Sequence, residues 1–85
     1  MKQATEIYSR DFDSVFFDLT PRWRQAVDRA IRDLGSRLES YPHHRLQGRS
    51  EFRMRVGDYR IIYDFDVARN ELFLIALGHR REVYR

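Results

Sequence analysis

The feature that most restricts the fold is a change of hydrophobic period near residue 51. In residues 52–65, FRMRVGDYRIIYDF, apolar side chains recur at alternate positions on either side of Gly57-Asp58. Period two marks a strand with one buried face. Gly-Asp between two such runs suits a two-residue hairpin turn of type II′, whose first residue takes a positive φ. Such a turn fixes the register: Val56 faces Tyr59, Arg55 faces Arg60, Met54 faces Ile61 and Arg53 faces Ile62. Paired residues share a face of the sheet. Phe52, Met54, Val56, Tyr59, Ile61, Tyr63 and Phe65 therefore form one apolar face. Arg53, Arg55 and Arg60 converge on the other, with Asp64 available there to neutralise one of them.

Before residue 42 the period is that of a helix. Residues 4–8 alternate weakly and fit a short first strand. Ser9 can cap a helix carrying Asp11 and Asp13 in its first turn, where carboxylates suit the helix dipole. Phe12, Val15, Phe16 and Leu19 follow helical spacing. Thr20-Pro21 ends that helix and starts a second, with Thr20 as N-cap and Pro21 at the first helical position. Trp23, Ala26, Val27, Ala30, Ile31, Leu34 and Leu38 then form one stripe, which reads as a core face. Tyr41-Pro42 ends the segment, and PHHRLQGRSE, residues 42–51, reads as a polar loop. Beyond the hairpin, VARNE makes a second turn. Leu72 to Leu77 is apolar on both faces, as in a covered central strand, and Gly78 breaks it. The expected fold is α+β over residues 1–85. A short N-terminal strand and a helical hairpin pack on one face of a three- to four-stranded antiparallel sheet.

Charge refines this picture. The formal net charge is +3, from 16 basic and 13 acidic side chains. Residues 1–40 are balanced, so the whole excess falls in residues 41–85. All the basic residues but Lys2 are arginine, whose planar donor fork matches phosphate. Two like charges facing each other on a sheet are destabilising. Arg55 opposite Arg60 is thus a cost that a bound anion would relieve. The tail His79-Arg80-Arg81-Glu82-Val83-Tyr84-Arg85 adds arginines and an aromatic ring beyond Gly78. Arginines beside an aromatic ring suit phosphate and base contacts on single-stranded RNA. Arg45 and Arg49 in the polar loop extend the same basic surface.

Several classes are disfavoured. Without cysteine there is no disulfide framework and no thiolate metal site. His43-His44 is a lone pair of adjacent residues, whose side chains do not readily converge on one ion. No apolar run reaches the roughly 20 residues that span a bilayer. The first residues, MKQATE, lack the apolar stretch of a signal peptide. A cytoplasmic protein without a cofactor is expected.

The segments FRMRVGDYRIIYDF and LIALGHRREVYR, with the helical break at Thr20-Pro21 and Pro42 before a basic loop, resemble toxins of the RelE/ParE superfamily, RelE type. The resemblance covers nearly the whole chain. It implies an endoribonuclease that cuts messenger RNA in the ribosomal A site, needs no metal, and is held inactive by a cognate antitoxin protein. It further implies that Arg53, Arg55, Arg60, Arg80 and Tyr84 form the active surface, with His79 and Arg81 as additional candidates. Two departures stand out. The family carries lysines on the first hairpin strand where this chain has arginines, and its hairpin turn is longer. Arginine stays protonated and is a poor general base, so the proton donor and acceptor are left open between Tyr84 and His79. Two other functions stay open as well: a ParE-like inhibitor of DNA gyrase, and a catalytically silent module that holds an acidic partner.

Overall fold

The computed structural model describes residues 2–79. In chain order these form β1 (Thr5–Tyr8), α1 (Arg10–Phe16), α2 (Pro21–Ser36), β2 (His44–Arg45), β3 (Phe52–Val56), β4 (Tyr59–Asp66) and β5 (Glu71–His79). The strands make one five-stranded sheet in the order β1-β5-β4-β3-β2. The α+β class and the placement of both helices on one face agree with the sequence reading.

The β3–β4 hairpin has the expected register, with Val56 opposite Tyr59, Arg55 opposite Arg60, Met54 opposite Ile61 and Arg53 opposite Ile62. Gly57 has φ +59°, and Asp58 is not among the residues with positive φ. This is the backbone of a type II′ turn. The turn is also pressed from outside: a Cβ at Gly57 would lie 2.5 and 2.7 Å from ring carbons of Trp23 on α2. Trp23 in turn meets Tyr59 edge-on at 5.0 Å between centroids. Glycine is therefore required here twice, for its φ and for its bareness.

Met54, Ile61 and Tyr63 of the hairpin are buried against Val27, Ile31 and Leu34 of α2, Phe12 of α1, and Leu72, Leu74 and Leu77 of β5. The helical stripe thus packs on the apolar hairpin face. Ser9 caps α1 by accepting from the Phe12 N–H at 3.0 Å. Thr20 has the extended backbone of an N-cap but makes no side-chain capping bond. Its carbonyl accepts the first helical hydrogen bond, from the Arg24 N–H, and Pro21 leaves one fewer amide to cap.

The sheet is larger than expected and mixed. β1 runs parallel to β5, with Thr5 opposite Glu71 and Tyr8 opposite Leu74. The two helices and the whole antiparallel ladder lie between β1 and β5 in sequence, which gives the long crossover a parallel pair needs. The polar loop also contains a strand. His44 and Arg45 pair with Arg53 and Phe52, and a tight return closes through the Leu46 N–H to the Glu51 carbonyl, with Gly48 at φ +74°. Two residues are too few to show a period, so this strand has no signature in the sequence.

β5 carries a bulge that explains its apolar run. Tyr63 pairs with Leu74 and Ile62 with Ala76, which leaves Ile75 as an extra residue. The bulge shifts the alternation by one, so Leu72 and Leu74 before it and Leu77 after it all reach the core. The Ile75 carbonyl accepts from the Ser9 hydroxyl at 2.6 Å, and the Leu74 carbonyl accepts from the Ser9 N–H at 2.9 Å. One serine thus caps α1 and anchors it to the irregular point of the central strand.

Gly57→Ala should lower the unfolding free energy by about 1–3 kcal/mol, from the left-handed backbone penalty and displacement of Trp23. In a Trp23→Ala background the cost should fall to the backbone share, about 1 kcal/mol. A urea-unfolding double-mutant cycle measures both. Equal costs in the two backgrounds would show that Trp23 does not press on the turn.

Candidate functional site

The face of β3 and β4 turned away from the helices carries Arg53, Arg55 and Arg60. Their alternation with buried Met54 and Ile61 dictates this placement. Arg53 and Arg55 are exposed and Arg60 is half-buried. Arg55 bends over the turn, its Nε donating to the Gly57 carbonyl at 3.3 Å. Among the described residues neither Arg53 nor Arg55 has an acidic ion-pair partner. Asp64, expected to offset one arginine, instead accepts from the Phe65 N–H at 2.8 Å.

Two shallow clefts meet at Arg53 and Arg60. One, of about 210 Å³, is lined by Tyr41, His44, Arg53, Met54, Arg55 and Arg60. The other, of about 310 Å³, is lined by Arg45, Gln47, Arg53 and Arg60. Together they form an open, strongly cationic trough suited to an extended anion rather than an enclosed small molecule. Arg45 borders the second cleft from the edge strand, but it pairs with Phe52 and its guanidinium lies over that ring, 4.8 Å from the centroid, towards the helix-bearing side. Arg49 is held differently, in a 3.0 Å ion pair with Glu51, and lines neither cleft.

Other candidates fall elsewhere. His79 pairs with Tyr59, so it lies on the helix-bearing side of the sheet, and its ring meets Tyr59 edge-on at 6.0 Å. It lines a separate groove with Val15, Asp18, Leu19 and Leu77. The register that gathers Arg53, Arg55 and Arg60 therefore keeps His79 apart from them. Arg80, Arg81 and Tyr84 lie outside the described residues.

The histidine pair splits between core and surface. His43 stacks on Phe65 at 4.0 Å, and both its ring nitrogens are engaged. A carbonyl only accepts, so Nε2, 2.7 Å from the Leu38 carbonyl, carries the proton. In the neutral ring Nδ1 then accepts from the Tyr63 hydroxyl at 2.6 Å. His44 pairs with Arg53 and lines the arginine cleft. Sequence reasoning, which treated 42–51 as a loop, missed it. The available signal was Leu46, an isolated apolar residue in a polar stretch, which is buried. Among the described residues no group of three or more histidine, aspartate or glutamate side chains is arranged to hold a metal ion. None of the described helices is long and apolar enough to cross a membrane.

The model of the ParE toxin of type II toxin–antitoxin systems matches residues 5–84. The chain belongs to this toxin family. Its fold is shared by solved structures of RelE toxins. The RelBE toxin–antitoxin complex of Mycobacterium tuberculosis aligns at TM-score 0.75 and 23% identity, covering 96% of this chain and 97% of that one. The RelE–RelB complex of Pyrococcus horikoshii aligns at 0.76 and 17%, covering 96% and 100%. The isolated Escherichia coli RelE toxin aligns at 0.76 and 16%, covering 95% and 90%. At these identities the likeness establishes the fold. No curated protein sequence gives a significant match.

In this toxin-family chain the Tyr63–His43–Leu38 link ties the core to the segment that carries β2. Burial, with Tyr41 nearby, raises the Tyr63 pKa above the ordinary phenol value. Burial and the hydrogen bond to Glu6 do the same for Tyr8. A folded pKa above the unfolded one stabilises fully below the unfolded value, about 10, and the gain is lost as pH rises towards the folded value. Stability should therefore fall as pH climbs above about 10. Tyr63→Phe should weaken that alkaline slope and, at neutral pH, cost about 1–3 kcal/mol by leaving His43 Nδ1 without its donor. Chemical denaturation at several pH values measures both effects. A variant with wild-type stability and slope would rule out the link.

Proposed function

We propose that the chain is the toxin of a type II toxin–antitoxin system and acts as a ribosome-dependent endoribonuclease of RelE type. The substrate is messenger RNA in the ribosomal A site. The ribose 2′-hydroxyl attacks the adjacent phosphate, leaving a 2′,3′-cyclic phosphate and a 5′-hydroxyl end, without a cofactor. The observation that carries this reading is the gathering of Arg53, Arg55 and Arg60 on one face, with no acidic ion-pair partner for Arg53 or Arg55 among the described residues. Such a face binds a phosphate backbone and stabilises charge building on a phosphoryl oxygen. One well-placed oxyanion donor is worth roughly 3–4 kcal/mol. Arg45 extends the binding surface, and we assign Arg49 a peripheral contact. The resemblance in the tail adds Arg80 and Tyr84 to the active surface, with Arg81 at its margin; His79, on the helix-bearing side of the sheet, is left out. The structural relatives include toxins solved with RelB antitoxins, which supports a cognate antitoxin as the partner that silences this chain. The cytoplasm, where ribosomes work, is the matching location.

A second reading has its own support. The matching family model is that of ParE toxins, and a ParE-like chain would inhibit DNA gyrase without cutting RNA. Translation and supercoiling assays on the purified toxin separate the two. We expect cleavage of ribosome-bound messenger and normal supercoiling; blocked supercoiling with intact messenger would reverse the assignment. Arg60→Ala and Tyr84→Phe should each cut the cleavage rate by about a hundredfold or more. Both should keep antitoxin affinity within about tenfold, since each leaves most of an interface intact. Growth arrest that persists in both variants would remove these residues from the chemistry.

A further inference from the structure

We propose that His44 is the general base of the arginine cleft. This rests on the endoribonuclease reading and gives that site the proton acceptor its arginines cannot supply. The placement follows from the ladder. β2 is the edge strand beside β3, and His44 lies opposite Arg53, so its side chain shares the outer face with Arg53, Arg55 and Arg60. All four line the same cleft of about 210 Å³. Arg45, next in sequence, pairs with Phe52 on the other side, as strand alternation requires.

The chemistry singles it out. Guanidinium groups remain protonated and only donate, so three of them can hold and polarise a phosphate without removing a proton. Imidazole both accepts and releases a proton at neutral pH. Tyr41 also lines the cleft, but its ring is engaged by the Arg37 guanidinium at 5.0 Å and meets the His43 ring at 5.4 Å. His43 has both nitrogens spent on Leu38 and Tyr63. His44 is exposed and, among the described residues, neither of its nitrogens has a hydrogen-bond partner. One histidine of the pair is a core fixture, and the other is open to the cleft.

The step balances without a co-reactant beyond water. Neutral His44 takes the proton of the ribose 2′-hydroxyl as the 2′-oxygen bonds to phosphorus. The bond from phosphorus to the 5′-oxygen breaks, and that oxygen leaves with a proton from solvent. Imidazolium then returns its proton to solvent. Arg53, Arg55 and Arg60 hold the phosphoryl oxygens throughout. The titratable and charged groups facing His44 are Arg53 and Arg55 of β3, Arg60 of β4 and Tyr41 before β2, with Arg45 following on its own strand.

The test is single-turnover cleavage of messenger on programmed ribosomes, from about pH 5.5 to 8.5 to bracket imidazole titration. It uses full-length toxin and its H44Q and H44A variants. For wild type the rate should rise with pH and level off as imidazole becomes neutral. Both variants should lose about a hundredfold or more, lose that acid limb, and bind ribosomes within a few-fold of wild type. Variants that cleave at the wild-type rate overturn the role of His44 and leave the endoribonuclease reading standing. A rate loss with an unchanged pH profile, or with lost ribosome binding, also overturns it as a base. A wild-type toxin that does not cut messenger overturns both.

Discussion

The arginine face depends on one backbone conformation, the positive φ of Gly57. A two-residue turn admits one register, and the strand period is two, so a slip of a single residue would send every arginine to the core face and every apolar residue to solvent. The turn is therefore the point where local chain geometry decides the chemistry of a whole surface. It is also where the helical layer meets the sheet. Trp23 closes over the bare side of Gly57 and packs against Tyr59, the first residue of β4. The pairing register and the docking of α2 are thus set at the same residue.

The distribution of acids completes what the register begins. The ion pairs Asp28–Arg32 and Asp33–Arg37 lie along α2, Glu51–Arg49 in the β2–β3 return and Asp66–Arg69 in the turn after β4. Exposed pairs of this kind contribute about 0–1 kcal/mol each, so stability does not explain their pattern. Among the described residues these pairs engage their carboxylates away from the β3–β4 outer face. There Asp64 is turned to the backbone, while Arg55 and Arg60 stand opposite each other. Like charges directly opposite each other across strands are destabilising, a cost that a bound anion would offset.

How much was legible in the sequence follows from the range of each interaction. The hairpin register, the α1 cap at Ser9 and the stripe of α2 are written in neighbouring residues, and each appears as read. The bulge at Ile75 was not legible, because it answers to Ser9, far away in sequence. Its trace, an apolar run from Leu72 to Leu77, looks the same as burial on both faces. β2 was hidden for the opposite reason: two residues cannot display a period. That gap also hid His44, because a histidine in a supposed loop has no face. His79, reached by counting along the tail, is placed by pairing with Tyr59 on the far side from the arginines. The arginines were found because alternation was enough to place them, whereas an edge-strand residue is placed only by its neighbour.

Arginine on β3, where the RelE-type pattern this chain resembles has lysines, changes what this face must borrow. Lysine shifts its pKa readily when buried and can take part in proton transfer, whereas arginine cannot. A face of arginines gains bidentate grip on phosphate and gives up any acid–base capacity of its own. In the proposed endoribonuclease, charge stabilisation and proton transfer then come from different side chains, and the edge strand is the nearest element that can add one without disturbing the hairpin. An open trough has a further shortfall. Much of the acceleration of a phosphoryl transfer comes from aligning the reacting atoms, roughly 7–11 kcal/mol in well-oriented systems, and shallow clefts do not immobilise a flexible RNA strand. A substrate already held in a fixed path by another macromolecule removes that shortfall. In the proposed reading, the openness of the site suits an endoribonuclease acting on RNA already positioned by the ribosome.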